Sequence, residues 1–154
     1  GALEQAGLAI VAASAATWPD GVALSTFTVA PGEAIDERAL GAFVNEARDE
    51  PLEAAPLDDA SITFDDRSSP WHTVALLDAR DRVGLLHAVS TAFAQAGVLI
   101  HAMRVQTVDG RARDSFELTD ERNVKLTAAQ QRRVRDALAT GTAEHVTRRG
   151  RYVR

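Results

Sequence analysis

His72-Thr73-Val74-Ala75-Leu76-Leu77-Asp78-Ala79-Arg80-Asp81-Arg82-Val83-Gly84-Leu85-Leu86 is the stretch whose reading decides the fold. Residues 72–79 carry the run Val74-Ala75-Leu76-Leu77, which predicts a buried strand. Asp81-Arg82-Val83-Gly84 breaks that run. Beyond it Leu85, Leu86, Val89, Phe93 and Ala96 recur at helical spacing, with His87, Ser90, Thr91 and Gln95 between them. An amphipathic helix is therefore expected, with Asp81 placed to cap it and Gly97 to end it.

Downstream, residues 98–108 read as a strand whose apolar parity changes midway. Val98, Ile100 and Ala102 share one phase, Met103 and Val105 the other, and a bulge near Ala102 accounts for the change. Asp109-Gly110 is a hairpin signal. Residues 111–119 form the returning strand, with Ala112, Phe116 and Leu118 as its inward residues. Thr127-Ala128-Ala129-Gln130 is a capping box that opens a helix to about Leu138. Val134, Ala137 and Leu138 face inward there, Arg132, Arg133 and Arg135 outward, and Gly141 is the stop. A short strand at residues 145–147 completes the order β-α-β-β-α-β.

The same plan occurs earlier in the chain. Gln5-Ala6-Gly7-Leu8-Ala9-Ile10 aligns with Gln95-Ala96-Gly97-Val98-Leu99-Ile100, and Thr17 with Thr107. After a one-residue slip, Asp20-Gly21 aligns with Asp109-Gly110 and Phe27 with Phe116. Matching order at a nearly constant offset indicates one unit used twice. In the first copy residues 1–6 read as a helical tail, and residues 8–17 and 22–29 as a hairpin. Ile35, Ala39, Leu40, Phe43, Val44 and Ala47 make a second helix, and Ser61-Ile62-Thr63-Phe64 a short strand. The expected organisation is a first module at 1–66, a linker at 67–71, a second module at 72–148 and a basic tail at 149–154. The class is α+β: tandem ferredoxin-like βαββαβ modules, antiparallel sheets with helices on one face. The first module is truncated at its N-terminus, lacking its first strand and most of its first helix. That loss leaves unpaired strand edges, and preceding residues, or a strand from another chain, are expected to supply what is missing.

Composition narrows the function. The chain has 154 residues, 45% hydrophobic and 25% charged, with a formal charge of −5. A mildly acidic chain is a poor candidate for general nucleic-acid binding, which needs clustered Lys and Arg to neutralise phosphates. The single tyrosine, Tyr152, lies outside the sheet, which removes the stacking platform of an RNA-binding βαββαβ domain. Cysteine is absent, so disulfides, thiol catalysis and Cys-ligated zinc are excluded, and a cytoplasmic setting is expected. No apolar run approaches the roughly 20 residues of a membrane span. His72, His87, His101 and His145 lack metal-ligand spacing, and no nucleophile–base constellation is visible, so neither metal nor catalytic residues are expected. The paired carboxylates Asp58-Asp59 and Asp65-Asp66 read as solvated linker. Trp18 and Trp71 are expected to fill a seam between the modules.

The opening strand and loop at residues 73–86 resemble those of ACT domains. So do Ala102-Met103-Arg104-Val105-Gln106-Thr107 and Asp109-Gly110-Arg111-Ala112-Arg113-Asp114-Ser115-Phe116, as second and third strands. More narrowly, the chain is similar to the C-terminal tandem ACT region of bacterial PII uridylyltransferase/uridylyl-removing enzymes. Ile62-Thr63-Phe64-Asp65-Asp66, with Ser69 before Thr73, matches that family's connector between modules. Val83 stands where the family usually has Pro, and residues 148–154 have no counterpart. The resemblance implies a non-catalytic regulatory region that binds glutamine and no other cofactor, cytoplasmic and homodimeric. Catalytic domains of the same chain would lie upstream, and the PII signal protein would be met through the parent enzyme. The chain opens at Gly1 without Met, as a piece of a longer protein would.

Independently of family, Asp81, Arg82, Val83, Gly84, Leu85 and Leu86 join a strand to a helix N-terminus, where free backbone N–H groups favour an anion such as an amino-acid carboxylate. Gly84 lets a ligand approach the backbone, Asp81 is placed to accept from an ammonium, and Arg82 to pair with a carboxylate. Asp81 as a plain cap and Gly84 as plain turn geometry fit the same residues. Ile100 and His101 lie on the strand that such modules pair at an edge, where His101 reads either as a ligand contact or as a packed strand residue. A purely structural module, pairing edges at residues 8–17 and 98–108 without any ligand, is the competing reading.

Overall fold

Thr73, Ala75, Leu77 and Ala79 alternate with Val74, Leu76, Asp78 and Arg80, and the first set is buried. That period of two makes β4 (Thr73–Arg80) a strand with one face on the core, not one covered on both, since Leu76 is 50% exposed. The computed structural model describes residues 10–17, 22–30, 36, 38 and 55–141. The expectations for residues 1–6, Trp18, Asp20-Gly21, the helix from Ile35 to Ala47, the strand at 145–147 and the tail at 149–154 fall outside them. The other elements are β1 (Ile10–Thr17), β2 (Ala23–Val29), β3 (Ser61–Asp65), α1 (Leu85–Gln95), β5 (Val98–Val108), β6 (Arg111–Asp120) and α2 (Ala128–Thr140).

The strands form one six-stranded sheet in the order β2-β1-β5-β6-β4-β3, antiparallel at every junction. Leu85, Ala88, Val89, Ala92 and Phe93 of α1, with Val134, Ala137 and Leu138 of α2, bury one face of this sheet. At the centre Phe93 meets Phe116 edge to face, with ring centroids 5.1 Å apart. Asp109 and Gly110 both have positive φ, 52° and 72°, the backbone that a tight hairpin turn requires.

The strand read from sequence as closing the first copy, β3, pairs instead with β4. In a βαββαβ sheet the last strand lies beside the first, and here β3 holds that place. Ile62 and Phe64 pack on the second unit's core, and Leu57 N–H donates to Leu138 O at 2.7 Å. The segment expected to be a linker is the hairpin loop between β3 and β4. The Asp65 carboxylate accepts from Arg67 N–H and Ser68 N–H, and Asp66 accepts from Thr73 Oγ1 and Gln131 Nε2. Asp65-Asp66 is thus a structural tie, as is Asp59, which accepts from Arg80 N–H and Arg82. Trp71 is 75% exposed and fills no seam; it sits in this loop, where its N–H donates to Ser69 Oγ.

The repeat is visible in the register. Ile10 faces Val29, Ala12 Thr28, Ala13 Phe27 and Ser14 Thr26; at the aligned positions Ile100 faces Leu118, Ala102 Glu117, Met103 Phe116 and Arg104 Ser115. The bulge recurs too, between Ile10 and Ala12 and between Ile100 and Ala102. The hairpins join edge to edge, Ala12 to Ala16 of β1 pairing with Gln106 to Ala102 of β5.

Helix α2 has both halves of its capping box: Gln130 N–H donates to Thr127 Oγ1, and Thr127 N–H to Gln130 Oε1. Thr127→Ala is expected to cost about 1 kcal/mol in urea denaturation, since the freed amide finds only water; a loss under about 0.3 kcal/mol would show that this cap contributes little.

Candidate functional site

The turn from β4 into α1 leaves its helix uncapped. Gly84 is the N-cap residue, with φ 88°, and among the described residues no side chain caps the first-turn amides. No acidic residue lies in the first turn either. The positive φ is one that glycine adopts without strain. The amides of Leu86 and His87 therefore carry the partial positive charge of an open helix end. Leu85 is buried and Leu86 packs against the core, while Val83 stands 85% exposed at the rim.

Two roles read from the sequence change. Asp81 does not cap α1: its Oδ2 accepts from Thr107 Oγ1 at 2.8 Å, and its N–H donates to Gly110 O. These bonds tie the turn to the β5–β6 hairpin. Arg82 is committed to Asp59 at 2.8 Å, pinning the turn to the segment before β3.

Ile100 and His101 do not join the turn. Val98 faces Asp120 and Val108 faces Arg111, while Thr73 faces Leu118 and Arg80 faces Arg111. Antiparallel register therefore places the start of β5 beside the start of β4, at the opposite end of the sheet from residues 81–86. Ile100 packs against the core. His101 is the bulged residue; its Nε2 lies 2.7 Å from Thr119 Oγ1, and its ring stacks on His72 at 4.8 Å. His72 Nδ1 lies 2.7 Å from Glu117 Oε2. Burial first, then His72, lowers the His101 pKa against the pull of Glu117. Among the described residues no group of three or more His, Cys, Asp or Glu could hold a metal ion. No helix there is long and apolar enough to cross a membrane.

The residue that sequence reasoning passed over is Asp114. It is 2% exposed and lies on the inward face of β6, between Ala112 and Phe116. Gln106 N–H donates to Oδ1 at 3.2 Å, and Oδ2 is buried with no hydrogen-bond partner among the described residues. Burial raises its pKa to about 6; the Gln106 bond opposes this, and the nearby Asp81 carboxylate adds to it. The signal was available: Asp114 shares the parity of Ala112, Phe116 and Leu118, so a charge was due on the core side of the strand.

Residues 73–136 match the ACT domain model. This segment is an ACT domain, with the βαββα order and helices on one face expected of one. Along its length the chain is similar to bifunctional uridylyltransferase/uridylyl-removing enzymes. It is 31% identical to that of Rhodospirillum rubrum, over 97% of this chain and 18% of that protein. For Gluconobacter oxydans the identity is 33%, over 82% of this chain and 16% of that protein. For Vibrio parahaemolyticus it is 36%, over 49% and 9%. The chain thus spans less than a fifth of the length of these curated relatives. No solved structure matches it.

Proposed function

We propose that this chain is the glutamine-sensing, non-catalytic regulatory region of a cytoplasmic PII uridylyltransferase/uridylyl-removing enzyme involved in nitrogen regulation, built as tandem ACT modules and acting within a homodimer. The observation that carries the reading is the open N-terminus of α1 at Gly84, in a turn tied to β5 by the Asp81–Thr107 hydrogen bond. Thr107, which holds Asp81, directly follows Gln106, the last β5 residue paired with β1. A ligand seated at residues 81–86 therefore reports to the strand that joins the hairpins. Such a ligand shifts the parent enzyme between states only as far as it prefers one arrangement of the seam over another.

L-Glutamine at a hundred times its dissociation constant is expected to stabilise the chain by about 2.7 kcal/mol, read as a rise in melting temperature of several degrees. Gly84→Asp removes the response, because a carboxylate there occupies the open amides and repels the ligand's own. An unchanged melting temperature at millimolar L-glutamine, with a shift from another amino acid, would retain the site and reject this effector. Silence across the common amino acids would favour a purely structural module, a reading supported by the β1–β5 pairing itself.

A further inference from the structure

We infer that Asp114 is the receptor for the ammonium group of the bound amino acid, an inference that rests on the effector-binding reading above. The two hairpins share one register, and they differ at this residue. In the first hairpin Ala15 and Ala16 pair normally with Ser25 and Leu24. At the aligned positions Val105 and Gln106 have no partner on β6, although both stay paired with Ala13 and Ala12 of β1. Asp114 stands where the first copy has Ser25. Its carboxylate takes the Gln106 N–H that a continuous ladder would use and leaves its second oxygen buried and unpaired.

A buried carboxylate with an idle oxygen is costly unless a donor, preferably a cation, completes it. No described arginine is hydrogen-bonded to Oδ2: Arg82 pairs with Asp59, and Arg111 and Arg113 pair with Asp78 on the outer face. The neighbouring charge that acts on Asp114 is another carboxylate, Asp81. Among the described residues no cation completes this carboxylate, and the α1 N-terminus, which follows the β4 end paired with the start of β6, has no acidic residue in its first turn. An α-amino acid carries both groups on one carbon. Its carboxylate suits the α1 amides and its ammonium suits Asp114 Oδ2. Because Gln106 belongs to both the Asp114 bond and the β1 pairing, capture of the ammonium acts on the strand at the seam.

The test compares melting temperatures of the wild-type chain and Asp114→Asn with millimolar L-glutamine and with each other common L-amino acid, and of wild type with N-acetyl-L-glutamine. The Asn variant keeps the size of the side chain and an acceptor for Gln106 N–H, and its unliganded melting temperature verifies that it folds. The expected result is a shift in wild type and at least a tenfold weaker apparent affinity in Asp114→Asn. If L-glutamine is the active compound, its N-acetyl form should have no effect on wild type. Equal responses in the two proteins, or a full response to the acetylated compound, would overturn the role of Asp114 and leave the effector site standing. A wild type silent to every amino acid would overturn both.

Discussion

Asp114→Asn is expected to make the unliganded chain more stable at pH 7.5, by about 2–3 kcal/mol, even though it alters a buried polar residue. The folded-state pKa is raised from 3.8 to about 6 by burial, against the Gln106 hydrogen bond and with a further push from Asp81. A raised carboxyl pKa means that the native state holds its proton more tightly than the unfolded chain does. The contribution of this group is full below about pH 4 and is lost as pH rises through about 6. At about 1.4 kcal/mol per pKa unit, the loss approaches 3 kcal/mol above pH 7. Removing the charge removes the loss. Urea denaturation at several pH values should show the two proteins converging near pH 4, separating between about pH 4 and 6, and keeping a constant difference above about pH 7. Asp59, held down by the Arg80 N–H, and Asp65, held down by the Ser68 hydroxyl, stay ionised through that window in both proteins. The lowered pKa of His101 acts with the opposite sign, disfavouring the native state as pH falls, and the comparison at each pH cancels it. Parallel curves would mean that the buried carboxylate has a compensating partner.

The largest loss of stability is expected from Phe116→Ala, about 3–5 kcal/mol. Phe116 is fully buried, faces Met103 on β5 and Ala75 on β4, and meets Phe93 of α1. Its cross-strand neighbour Ala75 is too short to reach into the space. A loss of this size is comparable to the whole stability of many small domains. The midpoint of urea denaturation should fall steeply, and a cost below about 1 kcal/mol would show that the core repacks around the gap. A site near the seam that depends on β5 and β6 lying in register would be lost with it.

Periodicity carried most of the second unit. The strand at Thr73, the helix at Leu85, the shift of phase near Ala102, the Asp109-Gly110 turn and the Thr127 cap all depend on local patterns of apolar and turn residues. The pairing of β3 was not legible, because a short run such as Ser61-Ile62-Thr63-Phe64 does not state its partner. Its neighbour is set by where Ile62 and Phe64 find apolar cover. The site was legible only in part. Residues 81–86 were found because a strand-to-helix turn with glycine has a known electrostatic character. His101 was grouped with them because it lies on the same strand as the seam, although the strand read at residues 98–108 is long enough to put His101 at the far end of the sheet. Asp114 was missed because alternation was read for its apolar members only. A charged residue in the inward phase is a stronger marker of function than an apolar one, since burial penalises it.

An amino acid that binds at the open end of α1 must perturb that turn and the strand hydrogen-bonded to it. Backbone amide NMR of the full chain during titration with L-glutamine tests this most directly. Saturable shifts are expected at Asp81, Arg82, Val83, Gly84, Leu85 and Leu86, with Gln106, Thr107 and Asp114 moving alongside. Saturable shifts confined to the His72–His101 end of the sheet, with residues 81–86 and Asp114 unmoved, would contradict it.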